Sequence, residues 1–521
     1  GHLRTRATAK NVLWGLFQQA VLCFLGFFSR RVMLNTIGTT GVGLNALLTN
    51  VLSALTLAEM GIGTVIVYHL YRPLAQGDKR EVCRLIQFYR TTYRKVAGAI
   101  TGLGLLAIPF LPSLTKGVSY SRLYVAAVFL LFLAQMVCSY FFSYQRSLLS
   151  ADQKQYIVSI VDLLFRGCST IGGVLVLLLT HELLVYLVFR FFTSLFNHLA
   201  LSKQVNRLYP YLKQAKEPLS PERKKLLFFD VRDRFAGKLS WTLTSCMDNL
   251  FISLLVGTVQ VGLYSNYTIV FHTLTNGVNQ ISAAMSGSIG NLLATGSKEQ
   301  VDSTLQKLLF AMYWIATFCS TCLFCLIDPF ISFLFGPAMV LDRPIVEVCI
   351  LNFFLMTMRI PLWNMVGASG LFKKDKYISL FGAFVNLIVS FILGIHFGML
   401  GIFIGTTCTY ATQFLLKTIL FYHCFLQRSC ATFLKKIGLY LFLSLAIAGT
   451  AHRICIWIST GTALLDFVLQ GLASAAFPLA INTVLFFHTD SFHSLCQSFV
   501  KLLHHTNHAG QKGGEPSESI I

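Results

Sequence analysis

Eight ionisable side chains lie inside long apolar stretches of the sequence, where a charge is energetically costly. At the centre of a membrane span such a charge costs about 2.5–3.5 kcal/mol on insertion scales, so it is expected to face a bundle interior or a wet cavity. Five of the eight are arginines, which favours an anionic ligand because a guanidinium matches phosphate oxygens in two places at once. The eight are Arg30, Arg31, Glu59, Asp162, Arg166, Arg190, Asp248 and Arg359.

Some of these charges have a purely structural explanation. Asp162 and Arg166 are four residues apart, so on a helix they share a face and can neutralise each other. Arg30 and Arg31 lie near the end of an apolar stretch, from which a long side chain can reach the membrane interface. Arg359 precedes a proline, which leaves a helix carbonyl unpaired.

The remaining charges have no opposite charge three or four residues away, which favours a role in a cavity. Asparagines in the same stretches can bind sugar hydroxyls, although they also join helices to each other. We therefore predict a substrate site that contains Arg30, Arg31, Arg190, Arg359 and Asn249. The acids predicted to line the cavity or to couple ion movement are Glu59, Asp248 and Asp162.

Other kinds of chemistry are not indicated by the sequence. Cys319, Cys322 and Cys325 have the spacing of an iron–sulfur ligand run, but Asp328 stands where the fourth cysteine would be. The chain has no nucleophile elbow, phosphate-binding loop or zinc-protease helix. We therefore expect no metal, no cofactor and no enzymatic activity.

The composition indicates a membrane protein built from helices. Of the 521 residues, 55% are hydrophobic and 12% are charged, whereas about a quarter of a soluble domain is charged. Apolar stretches of about 20 residues recur along the chain, and each is long enough to cross a bilayer as a helix. We predict an all-α polytopic membrane protein with about 14 spans, at 11–36, 41–70, 96–114, 122–146, 155–179, 182–203, 237–257, 261–290, 304–327, 345–370, 377–396, 398–424, 434–452 and 464–487.

The distribution of basic residues predicts the orientation. If the N-terminus is cytoplasmic, 33 of the 42 Lys and Arg residues fall on cytoplasmic segments and 4 fall on outer ones. This is the bias that the positive-inside rule describes, so we expect both termini in the cytoplasm. The net charge of +21 then reflects contact with anionic membrane lipids, and no nucleic-acid partner is expected.

An internal repeat divides the chain into two halves. Displaced by 219 residues, "GTTGVGL" at Gly38 aligns with "GTVQVGL" at Gly257, and 15 of 45 positions from Gly38 to Val82 are identical. Six spans separate equivalent positions, so the halves have the same orientation, as in some alternating-access transporters. We predict two parallel six-helix lobes around a central cavity, with two appended C-terminal helices. The boundaries are 1–202 for the N-lobe, 203–236 for a cytoplasmic linker, 237–427 for the C-lobe, 428–490 for the appended spans and 491–521 for a cytoplasmic tail.

Two long segments resemble a known family. "FFSRRVMLNTIGTTGVGLNALLTNVLSALTLAEMGIGTVIVYHLYRPLA" resembles the opening of bacterial polysaccharide flippases of the O-antigen and capsule type. "MDNLFISLLVGTVQVGLYSNYTIV", followed by "GSIGNLLA", resembles the start of their second lobe. These flippases belong to the multidrug/oligosaccharidyl-lipid/polysaccharide exporter superfamily, whose fold is two six-helix lobes around a central cavity. Glu59 lies in "LAEMGIG", which matches the pattern of these flippases.

The resemblance implies a flippase in the inner membrane that moves a polyprenyl-pyrophosphate-linked oligosaccharide between leaflets, with ion coupling. Glycan polymerase and glycosyltransferases are the partners implied by this role. A cation-coupled multidrug exporter of the same superfamily shares the fold, and only the charge of the cavity separates the two functions. A membrane scaffold for glycan assembly is a third hypothesis, although a scaffold has no need of buried charges.

Overall fold

The fold is all-helical in the part of the chain that can be described. The structure, a computed structural model, describes residues 2–59, 62–115, 120–152, 154–213, 218–458, 460–490 and 492–493. Within these ranges no strand occurs, and nine helices are long and apolar enough to cross a membrane. The prediction of an all-α polytopic membrane protein is confirmed. One of the nine, Lys374–Leu426, covers two of the predicted spans.

The first half of the chain contains a helix that is interrupted at Glu59. The predicted span 41–70 is not continuous, because α1 ends at Leu55, Thr56–Glu59 forms a 3₁₀ turn, and α2 begins at Ile62. Non-helical backbone at membrane depth is tolerated where it is buried in protein or lines a cavity. The helices of this half are α1 (His2–Leu55), α2 (Ile62–Gln76), α3 (Lys79–Ala107), α4 (Leu111–Leu114), α5 (Arg122–Ala151), α6 (Gln155–Thr180) and α7 (Leu183–Leu208).

The second half contains two further breaks. The predicted span 345–370 is interrupted at Arg359, and α13 bends sharply at Gly398, where φ is 59°, between the two spans predicted there. The helices of this half are α8 (Pro221–Phe251), α9 (Thr258–Thr295), α10 (Lys298–Phe335), α11 (Arg343–Met358), α12 (Ile360–Ala368), α13 (Phe372–Phe421), α14 (Ala431–Trp457) and α15 (Ala463–Phe486).

The connection between the halves is shorter than the sequence predicted. The segment 203–236 was expected to be a linker, but α7 extends to Leu208 and α8 begins at Pro221. Ser220 caps α8 by accepting a hydrogen bond from the Arg223 backbone amide, at 3.4 Å, and proline favours the first helical position. Leu227 and Val231 are buried, so the start of α8 is held by packing despite its many charges.

Each half has its own hydrophobic core. One cluster of buried side chains runs from Val32 to Val231, whereas two others are formed almost entirely by residues after Ile252. The halves meet chiefly where α1 packs against α9. The last two helices, α14 and α15, pack on α10, where the Tyr313 hydroxyl donates to Asn482 Oδ1 at 2.7 Å.

The internal repeat is visible in the backbone. Gly38 and Gly257, which the 219-residue displacement aligns, both have positive φ, at 68° and 136°. Glycine adopts such angles without a Cβ clash, so both halves place it between their first two spans. Farther along the repeat, Asp78 and the aligned Ser297 are both helix N-caps, of α3 and α10. Aligned residues therefore have the same structural role in both halves.

The two halves also touch through aligned residues. A Cβ built on Gly262 would lie 2.6 Å from the Thr39 carbonyl oxygen, and one built on Gly43 would clash with the Thr258 carbonyl oxygen. Thr39 aligns with Thr258, and Gly43 aligns with Gly262. The contact is therefore reciprocal, as at a two-fold symmetric interface. This is the arrangement expected of two parallel repeats.

Candidate functional site

A polar cavity of about 1150 Å³ lies within the first half of the chain. It is bounded by the Glu59 turn and by α2, α3, α5, α6 and α7. Two of the predicted site residues, Glu59 and Arg190, line it. The other lining residues are Gly63, Val67, Tyr71, Tyr89, Gln135, Ser139, Ser143, Arg146, Ser147, Ser150, Phe165, Arg166, Ser169, Thr193, Ser194, Asn197 and His198.

One arginine of the cavity wall is neutralised by a carboxylate. The Arg146 Nη1 and Nη2 atoms donate to the two oxygens of Asp162, at 2.8 and 2.6 Å. Asn197 Nδ2 donates to the same carboxylate at 3.1 Å. Asp162 itself is buried and is not among the residues that line the cavity. Asp162 therefore affects the cavity indirectly, because it holds the Arg146 side chain in a fixed position.

Two other arginines remain available to a ligand. Arg166 is 3.6 Å from Asp162, and 63% of its side chain is exposed. Arg190 is half-buried, its guanidinium stacks on the Tyr186 ring at 5.6 Å, and Nη1 donates to the Tyr186 hydroxyl at 3.4 Å. Asp162 is held more closely by Arg146 than by Arg166, and the contacts of Arg190 are to a tyrosine, so these two guanidinium groups give the cavity a positive wall.

Glu59 is part of a compact cluster with two tyrosines. The Tyr93 hydroxyl donates a short hydrogen bond to Glu59 Oε1, and the Tyr89 hydroxyl bonds to Ser143 and Ser147, each at 2.9 Å. The two rings pack edge to face, 4.3 Å apart. A Cβ on Gly63 would lie 2.8 Å from the Tyr93 hydroxyl oxygen, so glycine is needed for this close approach.

A second polar cluster lies in the other half, around Asp248. The Thr406 hydroxyl donates to Asp248 Oδ1 at 2.9 Å and accepts from Asn386 Nδ2 at 3.2 Å. Ser390 lies beside Asn386, and its hydroxyl donates to the Ile402 carbonyl at 3.1 Å. Asn386 Oδ1 is buried and has no hydrogen-bond partner among the described residues. Carboxylate, hydroxyl, amide and carbonyl oxygens together suit a hard cation.

Cysteine and histidine metal sites are not formed in the described residues. No group of three or more His, Cys, Asp or Glu side chains there could hold a metal ion. Cys319, Cys322 and Cys325 lie along α10, where they pack as small apolar side chains.

Arg359 lies in an aromatic box in the second half. Its side chain is 7% exposed. The guanidinium carbon is 4.2 Å from the Tyr410 ring centroid and 4.9 Å from that of Trp363. Lys417 Nζ is 4.3 Å from the same Trp363 centroid and pairs with Asp375 at 2.6 Å. No described residue accepts a hydrogen bond from the Arg359 guanidinium group, whose N–H donors suit an anion.

Arg30 joins the two halves and does not line the cavity. Its Nε donates to Asn266 Oδ1 at 2.8 Å, and its Nη2 donates to the Gly262 carbonyl at 3.2 Å and to the Ser265 hydroxyl. All three acceptors belong to α9. Arg31, the next residue, is exposed. Asn249 is half-buried in α8, and its Oδ1 has no hydrogen-bond partner among the described residues.

The predicted residues thus fall into several places. Glu59 and Arg190 meet at the cavity with Asp162 behind its wall, whereas Asp248 and Arg359 belong to separate clusters in the second half. Sequence reasoning missed Arg146 and Lys417, because both stand at the ends of predicted spans and were counted as orientation signals. The available signal was that Arg146 lies one helical turn from Ser143 and Ser150 in a hydroxyl-rich stretch.

The fold is shared with membrane transporters of known structure. No family model and no curated protein matches the chain. An inward-facing multidrug resistance MATE family transporter of the MOP superfamily superposes with a TM-score of 0.63 at 13% identity, over 76% of this chain and 93% of that one. The lipid II flippase MurJ, in an inward closed conformation, gives a TM-score of 0.64 at 13% identity, over 90% of this chain and 99% of that one.

A third structure extends the comparison. A MOP superfamily transporter from Pyrococcus furiosus gives a TM-score of 0.55 at 12% identity, over 80% of this chain and 96% of that one. The chain therefore has the fold of MOP superfamily transporters, as the resemblance of its sequence implied. At these identities the likeness establishes the fold alone, and the substrate has to be argued from the cavity.

Proposed function

We propose that this protein is a flippase that moves an oligosaccharide linked to polyprenyl pyrophosphate across the cytoplasmic membrane. The observation that carries the proposal is the charge of the cavity. Arg166 and Arg190 are available to a ligand, Arg146 is neutralised by Asp162, and Glu59 is the one carboxylate among the lining residues. A positive cavity suits a pyrophosphate, which bidentate guanidinium contacts bind well.

The size and polarity of the cavity agree with a glycan-bearing substrate. Its volume of about 1150 Å³ exceeds the range of about 300–1,000 Å³ that is usual for drug-sized ligands. Much of its lining consists of hydroxyl and amide side chains, where a pocket for apolar drugs would be mostly hydrophobic.

In this proposal the two lobes rock by alternating access. The N-lobe is 1–202 and the C-lobe is 237–427, with the appended pair at 428–490. With a cytoplasmic N-terminus, the cavity opens toward the cytoplasm, because it adjoins the α2–α3 and α5–α6 turns. The Gly43–Gly262 contact and the Arg30 hydrogen bonds to α9 then close the outer side. This arrangement is an inward-facing state.

Ion coupling is assigned to the acids in the two halves. Asp248, with the oxygens of Thr406, Asn386 and Ser390, forms a site for a small cation such as Na⁺. Glu59 lines the cavity and accepts a hydrogen bond from the Tyr93 hydroxyl, and we assign the second coupling role to its carboxylate. Binding energy at either site would bias the equilibrium between the two lobe arrangements.

The direct test is reconstitution. Purified protein in liposomes that contain a lipid-linked oligosaccharide should increase the fraction of glycan exposed on the opposite leaflet. Arg190→Ala should abolish most of this increase, and Thr450→Val, at an exposed position of α14, which contributes no residue to the cavity lining, should leave it unchanged. If wild-type protein changes no leaflet exposure, and Arg190→Ala and Arg359→Ala have no effect on glycan export in cells, the proposal fails.

A cation-coupled multidrug exporter is the second candidate function. The specific observation in its favour is Glu59, a carboxylate in a cavity that also contains the Tyr71, Tyr89 and Phe165 rings. Aromatic rings and a carboxylate suit organic cations. Expression should then confer resistance to cationic dyes, and Glu59→Gln should remove that resistance. Glycan polymerase and glycosyltransferase partners belong only to the flippase proposal.

A further inference from the structure

One face of α5 carries a line of polar side chains through an otherwise apolar helix. Its residues follow one another at intervals of four, four, four and three, so they lie on one side of the helix. All five belong to the lining of the cavity. We call this line the polar face of α5, and it consists of Gln135, Ser139, Ser143, Ser147 and Ser150.

The polar face is only partly used by the protein itself. Ser143 and Ser147 bond to the Tyr89 hydroxyl, and the Ser139 hydroxyl donates to the Met136 carbonyl of its own helix. Among the described residues, neither Gln135 nor Ser150 has a side-chain hydrogen-bond partner. Each of these side chains both donates and accepts, so an unused one offers a ligand two kinds of contact.

The same cavity contains positive charge on neighbouring helices. Arg166 comes from α6 and Arg190 from α7. A ligand that fills the cavity therefore meets cations and neutral hydrogen-bonding groups together. A sugar attached to a phosphate has this combination, because its hydroxyls both donate and accept and its phosphate is an anion.

We infer that the polar face of α5 binds the sugar hydroxyls of the substrate, next to the anionic group that Arg166 and Arg190 hold. Gln135 and Ser150 are the contact residues, and Tyr89 fixes the middle of the face through Ser143 and Ser147. The inference rests on the proposed function, since it assigns the sugar of that substrate to α5 and its pyrophosphate to the arginines of α6 and α7. It also assigns substrate contact to Arg166, which the sequence analysis paired with Asp162 for structural reasons.

The test compares two probes that differ only in the sugar. Undecaprenyl pyrophosphate and the same lipid carrying a linear pentasaccharide are titrated against the full chain in lipid nanodiscs. Gln135 and Ser150 are about 22 Å apart along α5, so a chain of several sugars is needed to reach both. Wild-type protein should bind the sugar-bearing probe more tightly. Because one neutral hydrogen bond contributes about fivefold in affinity, Gln135→Leu with Ser150→Ala should remove most of that difference and leave binding of the bare lipid unchanged.

Two matched variants make the result specific. Ser320→Ala removes a buried serine of α10 outside the cavity, whose hydroxyl has no partner among the described residues, and should change neither affinity. Arg166→Gln should weaken binding of both probes, because both carry pyrophosphate. Gln135→Leu alone should lose part of the sugar-dependent difference if the double variant fails to fold.

The outcomes distinguish this inference from the proposed function. If wild-type protein binds both probes equally, or the α5 variants keep the full sugar-dependent difference, the polar face does not bind sugar and the flippase proposal stands. If wild-type protein binds neither probe, both proposals are overturned.

Discussion

Arg146 and Asp162 form a two-point ion pair across α5 and α6, and Arg166, one helical turn from Asp162, is only a secondary partner. The pair distances are 2.6 and 2.8 Å, whereas Arg166 stands at 3.6 Å. The closer arginine therefore has a structural role, and our proposal assigns substrate binding to the more distant one.

We expect Arg146→Gln to destabilise the protein and Arg166→Gln to leave its stability unchanged. Removing a partner from a buried pair costs about 3–5 kcal/mol, and the cost here should be about 1–3 kcal/mol because Arg146 is partly exposed. Thermal unfolding in detergent measures the difference. Equal unfolding midpoints for the two variants would contradict the division of roles.

Glu59→Gln should impair transport more than folding. Glutamine keeps an acceptor for the Tyr93 hydroxyl, so the tyrosine cluster stays in place, but the negative charge is gone. A hydrogen bond that the transported ligand or ion donates to the charged Glu59 carboxylate contributes about 1.5–3 kcal/mol, so its loss should slow transport more than tenfold. Leaflet exposure of substrate in liposomes measures the rate. A variant that inserts poorly yet transports normally would show that Glu59 is structural.

Asp248→Asn should remove the dependence of transport on its coupling cation. The neutral side chain keeps its contact with Thr406 but gives up the charge that a cation requires. Transport is measured over a range of Na⁺ concentrations and of proton gradients in wild-type and variant protein. Asp466→Asn, at the start of α15 and far along the chain from the cluster, is the matched control. Unaltered cation dependence in Asp248→Asn would rule out coupling at this site.

Arg359→Lys should fail to replace Arg359. The arginine lies between the rings of Tyr410 and Trp363, and a lysine lacks the planar group that stacks in such a box. We expect Arg359→Lys and Arg359→Ala to lose transport to a similar extent while both remain in the membrane. Full activity of the lysine variant would mean that charge alone matters there, and glycan export in cells reports this.

Gly262→Ala should destabilise the contact between the halves. The new methyl group would clash with the Thr39 carbonyl oxygen, which belongs to the backbone and cannot move away by a side-chain rotation. Gly277→Ala, also on α9, is the control because no atom lies within 4 Å of its Cβ position. It should be neutral or stabilising by up to about 1 kcal/mol, since alanine is the better helix former. Unfolding midpoints that fall equally in both variants would argue against a specific clash.

The sequence predicted the helices because long apolar stretches have few alternatives in a membrane. It predicted the repeat because aligned glycines and helix caps, such as Gly38 and Gly257, have the same structural role in both halves. It did not place the break at Glu59, where a 3₁₀ turn replaces the helix and the carboxylate accepts a hydrogen bond from Tyr93 of another helix. Hydrophobic pattern carries no signal for such a break.

The site was less predictable than the fold. Glu59 and Arg190 were singled out because each is an isolated charge in a span, and both line the cavity, while their roles stay predictions. Arg146 was missed because a charge at the end of a span is expected as an orientation signal. Arg30 was assigned to the substrate site, although its guanidinium donates its hydrogen bonds to α9. Which partner a charge takes depends on contacts far apart in the chain, and one sequence does not show them.

The reciprocal contact of Gly43 and Gly262 has a consequence for the history of the chain. Such a self-complementary surface is what a single half would need to pair with an identical copy of itself, so the geometry is that of a homodimer whose two copies are joined in one chain. Fusion lets each copy mutate alone. Two aligned pairs differ in charge, Arg30 with Asn249 and Ser29 with Asp248. The halves therefore share the glycines of the scaffold and differ in their charged side chains.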